Sequence, residues 1–85
     1  MTPETEKYFR DLNEMFRSDG WKILLGDIQA SAANVNSIES TKDEQDLFFR
    51  KGQLAVMANI LNLESQVAAA QQQAQEEEDE ADAQD

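Results

Sequence analysis

Residues 41–70 read TKDEQDLFFRKGQLAVMANILNLESQVAAA, and this stretch decides the fold. Leu47, Leu54 and Leu61 recur every seven residues, and Ala68 continues the series. Phe48, Met57, Ala58, Ile60 and Val67 widen that face. Phe49, Val56, Ile60 and Leu63 drift to another side. Such spacing belongs to an α-helix. Ser40 with Asp43, or Thr41 with Glu44, supplies a capping-box arrangement at its start. The spacing predicts one helix over 41–70. Gly52 lies inside it, either making room for a large side chain such as Trp21 or standing as a tolerated defect.

Upstream, the stripe Trp21, Leu24, Leu25, Ile28, Ala32, Val35 and Ile38 predicts a helix over 19–38. Gly26 and the Asn34/Asn36 pair weaken it, since Gly costs about 1 kcal/mol against Ala inside a helix. The mix of small and large residues predicts close approach of a neighbouring helix. A first helix is expected over 3–17. Thr2 stands as its N-cap, Pro3 at its first position, and Glu4 and Glu6 complement its dipole. Tyr8, Phe9, Leu12, Met15 and Phe16 form its apolar face. Ser18-Asp19-Gly20 interrupts the pattern, with Gly20 as a stop or Ser18 or Asp19 as the next cap. No alternating run of β-branched residues reads as a strand. The expected fold is therefore all-α: an antiparallel helical hairpin of the second and third helices, an additional N-terminal helix, and a disordered acidic tail. The domain spans 1–70 and the tail 71–85. The N-terminal helix either crosses the open side of the hairpin or reaches another molecule.

The chain has 85 residues, with 18 acids, 7 bases and a net charge of -11. The charge is uneven. Residues 76–85, EEEDEADAQD, hold seven acids and no base, which leaves 11 acids against 7 bases and a net of -4 in 1–75. A block of like charge repels itself and stays solvated. Cysteine and histidine are absent. That excludes a disulfide framework, a Cys/His zinc site and any triad built on His or Cys. A phosphate backbone would repel the chain, so no direct nucleic-acid partner is expected. The apolar runs are far shorter than the roughly 20 residues of a membrane span. The start, MTPETEKYF, lacks the basic and apolar regions of a signal peptide. A cytosolic location follows as the expectation.

No carboxylate set coheres into an active site. Asp43, Glu44 and Asp46 cluster at a helix start, where they complement the dipole. The DEQD stretch lacks the spacing and glycine of an EF-hand loop. No cofactor, metal, small-molecule substrate or enzymatic activity is expected. Phe48-Phe49-Arg50-Lys51-Gly52 is the most distinctive local stretch. It reads as an aromatic and basic recognition surface, or as packing with Arg50 and Lys51 paired to Asp43, Glu44, Asp46 or Asp27. A lone hairpin hides one stripe per helix, and this chain carries more. The candidate partner-binding residues are Phe9, Phe16, Trp21, Phe48, Phe49, Arg50, Lys51, Leu54 and Leu61. The partner is the chain itself, as a homodimer or higher oligomer, or a larger assembly.

Gly20-Trp21-Lys22, Phe48-Phe49-Arg50-Lys51-Gly52-Gln53-Leu54 and Asn59-Ile60-Leu61-Asn62-Leu63-Glu64 together carry a resemblance. Over about residues 8–65 the chain resembles the small helical-hairpin proteins encoded among structural and morphogenesis genes of tailed bacteriophages, podoviruses in particular. An acidic low-complexity tail is frequent among them. The resemblance implies a non-enzymatic accessory role in the virion or its assembly, in the host cytoplasm, with a phage structural protein as partner. It brings no catalytic residues. A small acidic inhibitor, acting as a DNA mimic or an adaptor on a basic enzyme surface, is the alternative expectation.

Overall fold

The computed structural model describes residues 1–84. Among them the chain forms four helices and no strand: α1 (Pro3–Phe16), α2 (Asp19–Val35), α3 (Glu44–Leu61) and α4 (Leu63–Gln84). The fold is all-α. The helices group into two compact units. One joins α1 to α4, and the other comprises α2, α3 and their link.

The start of α1 follows its sequence signals. Thr2 is the N-cap, its hydroxyl accepting from the Thr5 N–H at 3.1 Å, and Pro3 opens the helix. The end comes at Phe16, one residue before the expected limit. Gly20 is not a stop: it lies inside α2, and no described glycine has a positive φ. Phe9 and Phe16 are buried, while Leu12 and Asn13 are half-buried between them. These residues share one helix face by their spacing.

The expected single helix over 41–70 is two helices. Asn62 ends α3 with φ -97° and ψ 3°. Its N–H still donates to the Ala58 carbonyl at 3.0 Å. Asparagine competes with the backbone for hydrogen bonds and is a weak helix former, which localises the interruption there. The apolar periodicity runs straight through it.

The helix after Asn62 does not fray at Ala70 as expected, and α4 continues to Gln84. The glutamines, alanines and glutamates of 69–80 are strong helix formers. Side chains one turn apart also bond: Gln72 to Glu76 at 3.3 Å, Gln73 to Glu77 at 3.4 Å and Gln75 to Asp79 at 3.3 Å. The least exposed positions of α4 are Leu63, Val67, Gln71, Ala74 and Glu78, spaced as one stripe. Two of them are polar and both have partners on the first unit's N-terminal segment. Asn13 Nδ2 donates to Gln71 Oε1 at 3.0 Å, and the Met1 amine pairs with the Glu78 carboxylate. The last residue of the expected tail, Asp85, lies outside the described residues.

In the second unit α2 ends at Val35, not Ile38, which is 93% exposed. Trp21 is buried, and Leu25, Ile28, Ala32 and Val35 continue its face half-buried. Leu24 lies outside that face and is exposed. The cap of α3 also lies later than expected, two residues after Thr41 and three after Ser40. Asp43 is the N-cap and accepts from the Asp46 N–H at 2.8 Å. Asp46 in turn accepts from the Lys42 N–H at 3.0 Å. Aspartates win because charged acceptors gain from the helix dipole. Ser37, Ser40 and Thr41 are meanwhile engaged with one another: Thr41 Oγ1 donates to the Ser37 carbonyl at 2.7 Å and the Ser40 N–H to Ser37 Oγ at 3.3 Å.

Arg50 ties this unit together. Its Nη1 donates to the Val35 carbonyl at 2.9 Å, at the end of α2. Its Nη2 donates to the Ser40 carbonyl at 3.1 Å, and Nε to Asp46 Oδ2 at 3.0 Å. The last carbonyls of a helix lack intrahelical partners and carry partial negative charge. One planar guanidinium thus closes α2, holds the link and pairs with the cap of α3.

Gly26 lies inside α2 at an exposed position. A Cβ added there would meet nothing within 4 Å. Two outcomes follow. Arg50→Ala should cost about 1–3 kcal/mol in chemical denaturation, the range for hydrogen bonds to a charged group, with Arg50→Lys recovering only part because it lacks the fork. Gly26→Ala should stabilise by about 0.5–1 kcal/mol, since it restricts the unfolded chain and enters open space; a loss of stability would mean that the position is packed.

Candidate interaction surface

Among the described residues no cluster of three or more His, Cys, Asp or Glu side chains is placed to hold a metal ion. The open depression at the α2–α3 link is lined by Ile38, Thr41, Lys42, Asp43, Glu44 and Leu47. Its acids serve the helix cap. Asp46 has its carboxyl held below the ordinary 3.8, first by the Lys42 N–H and then by the Arg50 guanidinium. Asp11 is lowered likewise by its hydrogen bond from Lys7 Nζ at 2.6 Å. Both are structural carboxylates satisfied by local donors.

The nine candidate partner residues fall into three groups. Phe9, Phe16 and Trp21 are buried, at 6%, 4% and 6% exposure. Arg50, Leu54 and Leu61 are half-buried, and Arg50 is committed to the contacts above. Phe48, Phe49 and Lys51 are exposed, with Lys51 Nζ 5.9 Å from the centre of the Phe48 ring. The aromatic and basic readings of the FFRKG stretch thus divide between neighbouring residues. Phe48 and Phe49 look outward, while Arg50 is part of the fold.

What distinguishes α3 is that no residue of it is buried. Its half-buried positions are Asp46, Arg50, Gln53, Leu54, Met57, Ile60 and Leu61. At about 100° per residue these share one arc of the helix. Phe48, Phe49 and Val56 lie on another arc, at 59%, 65% and 60% exposure. Gly52 sits among them with nothing within 4 Å of an added Cβ, so it makes no room for Trp21. Val56, absent from the candidate set, belongs to this surface. Its spacing of seven from Phe49 was the available signal.

No family model, curated protein or solved structure matches the chain. No described helix is long and apolar enough to cross a membrane.

The Asp46 contacts have a pH signature. A carboxyl with a lowered folded-state pKa stabilises the fold above its unfolded-state value and loses that contribution as pH falls through the folded value. Asp46→Asn should therefore flatten the loss of stability below about pH 4 in a pH series of denaturation curves, with the wild type steeper on the acid side.

Proposed function

We propose that this chain is a non-enzymatic packing protein that uses the open face of α3 to associate with itself or with a larger assembly. The observation that supports this reading is α3 itself. A helix with apolar residues on more than one side is normally enclosed on those sides, and this one has no buried residue. Exposed Phe48, Phe49 and Val56 form the kind of contiguous apolar surface that marks a protein contact. In this reading α2 and α3 form an antiparallel hairpin that presents the surface. The resemblance to phage hairpin proteins supplies the biological setting: an accessory structural or assembly protein, present in the host cytoplasm during assembly and a candidate component of the virion, with a capsid, portal or tail protein as the larger partner.

A second reading has its own observation. Glu76, Glu77, Asp79, Glu80 and Asp82 lie exposed along α4. A helical row of carboxylates is a better mimic of spaced phosphates than a solvated coil, and it would steer onto a basic enzyme cleft. Deleting residues 76–85 separates the readings. Mimicry requires that binding be lost and that it be salt-sensitive; packing through α3 requires that binding persist.

For the first reading, size-exclusion chromatography with light scattering should show either an oligomer or a complex with purified capsid, portal or tail protein. Phe49→Glu should weaken that association at least tenfold. A strictly monomeric chain with no affinity for any of these proteins would overturn it.

A further inference from the structure

The open face of α3 has an internal order. Counted outward from Gly52, it meets Phe49 and Ala55 at three residues, Phe48 and Val56 at four, and Gln45 and Asn59 at seven. With about 100° per residue, all seven positions fall within an arc of roughly 120°. All seven are exposed apart from being helical neighbours of one another. The residues on one side of Gly52 are large and aromatic, and those on the other are small. Both ends finish on an uncharged amide.

We infer that this face binds a second copy of the chain, with the two α3 helices antiparallel and related by a two-fold axis at Gly52. The inference rests on the packing role proposed above and specifies its partner. In that arrangement each residue meets its counterpart across the glycine. Phe49 faces Ala55 of the second copy, Phe48 faces Val56, Gln45 faces Asn59, and Gly52 faces Gly52. Large meets small, as close packing requires, and the amides meet each other as donor and acceptor. A parallel pairing would set Phe against Phe and leave a gap at Ala55. The contact is isologous, so it closes at two copies.

Charge at the contact permits the same occupant. Two chains of net charge -11 repel each other, so a contact between copies needs a surface free of ionised groups. This arc has none. Glu44 and Lys51 stand just beyond its edge, with Lys51 Nζ 5.9 Å from the centre of the Phe48 ring. The area lies at the low end of specific contacts. At roughly 150–250 Å² per aromatic side chain, the open fractions of Phe48 and Phe49 in two copies expose roughly 400–600 Å². Val56, Ala55 and the terminal amides bring the total towards the ~1,000 Å² that a specific interface needs. Gly52, with open space where a Cβ would stand, lets the backbones approach at the crossing.

The absence of cysteine gives a direct test, since each substitution introduces one thiol. In the full-length protein under mild oxidation, a mixture of Gln45→Cys and Asn59→Cys should form a covalent dimer. Gln45→Cys alone should not, because the two sites would lie roughly 20 Å apart along antiparallel helices. Ala30→Cys, on the outside of α2, sets the level of random collision. Phe49→Glu, read by light scattering without any thiol, should raise the dimer dissociation constant at least tenfold. Cross-linking of Gln45→Cys to itself, or of the Gln45→Cys and Asn59→Cys mixture no better than Ala30→Cys, overturns the antiparallel dimer. If a complex with a capsid, portal or tail protein then survives, only this geometry has failed. If no association of any kind is found, the packing role falls with it.

Discussion

The roll of α3 about its own axis is set by Arg50. To reach the Val35 and Ser40 carbonyls while holding Asp46, the guanidinium has to lie on the side of α3 that meets α2 and the link. Leu54, Met57 and Leu61 lie within about 60° of the same bearing and are half-buried. Phe48, Phe49 and Val56 are turned roughly 100–160° away and stay exposed. A single cation bound at the end of one helix thus accompanies the choice of which apolar side of the next lies inside the unit. The side that remains is the one available for association.

The other unit is organised by a mixed seam. Phe9, Phe16 and Val67 supply its buried apolar groups. The rest of the α4 stripe is completed by groups that bond rather than merely pack. Asn13 donates a hydrogen bond to Gln71, and the Met1 amine pairs with Glu78. Alternating apolar and polar contacts add specificity of register at a modest gain in stability, because each bond replaces one to water. The same seam explains how a helix as acidic as α4 is held in place near its end: one of its carboxylates is paired with a positive terminus.

The helical class and the start of α1 were legible from spacing and from the capping chemistry of Thr2 and Pro3. The faces of α2 and α3 were legible in part: Leu54, Met57, Ile60 and Leu61 share the half-buried side of α3, whereas Leu47, Phe48 and Ala58, read onto the same face, are exposed, as are Leu24 and Ile38 from the stripe of α2. The break at Asn62 was not legible, because the apolar period continues through it from Leu61 to Leu63. The extent of α4 was misread for a related reason. Its stripe passes through Gln71 and Glu78, which a search for apolar residues discards, although their partners Asn13 and Met1 lie far away in the chain. The cap of α3 fell two or three residues late because Asp46 is shared with Arg50, a contact that local capping rules do not weigh. Among the candidate interaction residues, the sequence placed Phe48 and Phe49 beside Arg50 without separating them. Only the direction of the Arg50 side chain does so.

The proposed function rests on this division of the two apolar sides of α3. One is engaged by α2, and the other, with Phe48, Phe49 and Val56, is exposed. Solvent paramagnetic relaxation of side-chain resonances, followed over a dilution series, tests that claim most directly. The account predicts strong relaxation at Phe48, Phe49 and Val56 in dilute protein, weakening as concentration rises, while Leu54 and Met57 remain comparatively protected throughout. Equal relaxation on both sides of α3 at every concentration would contradict it.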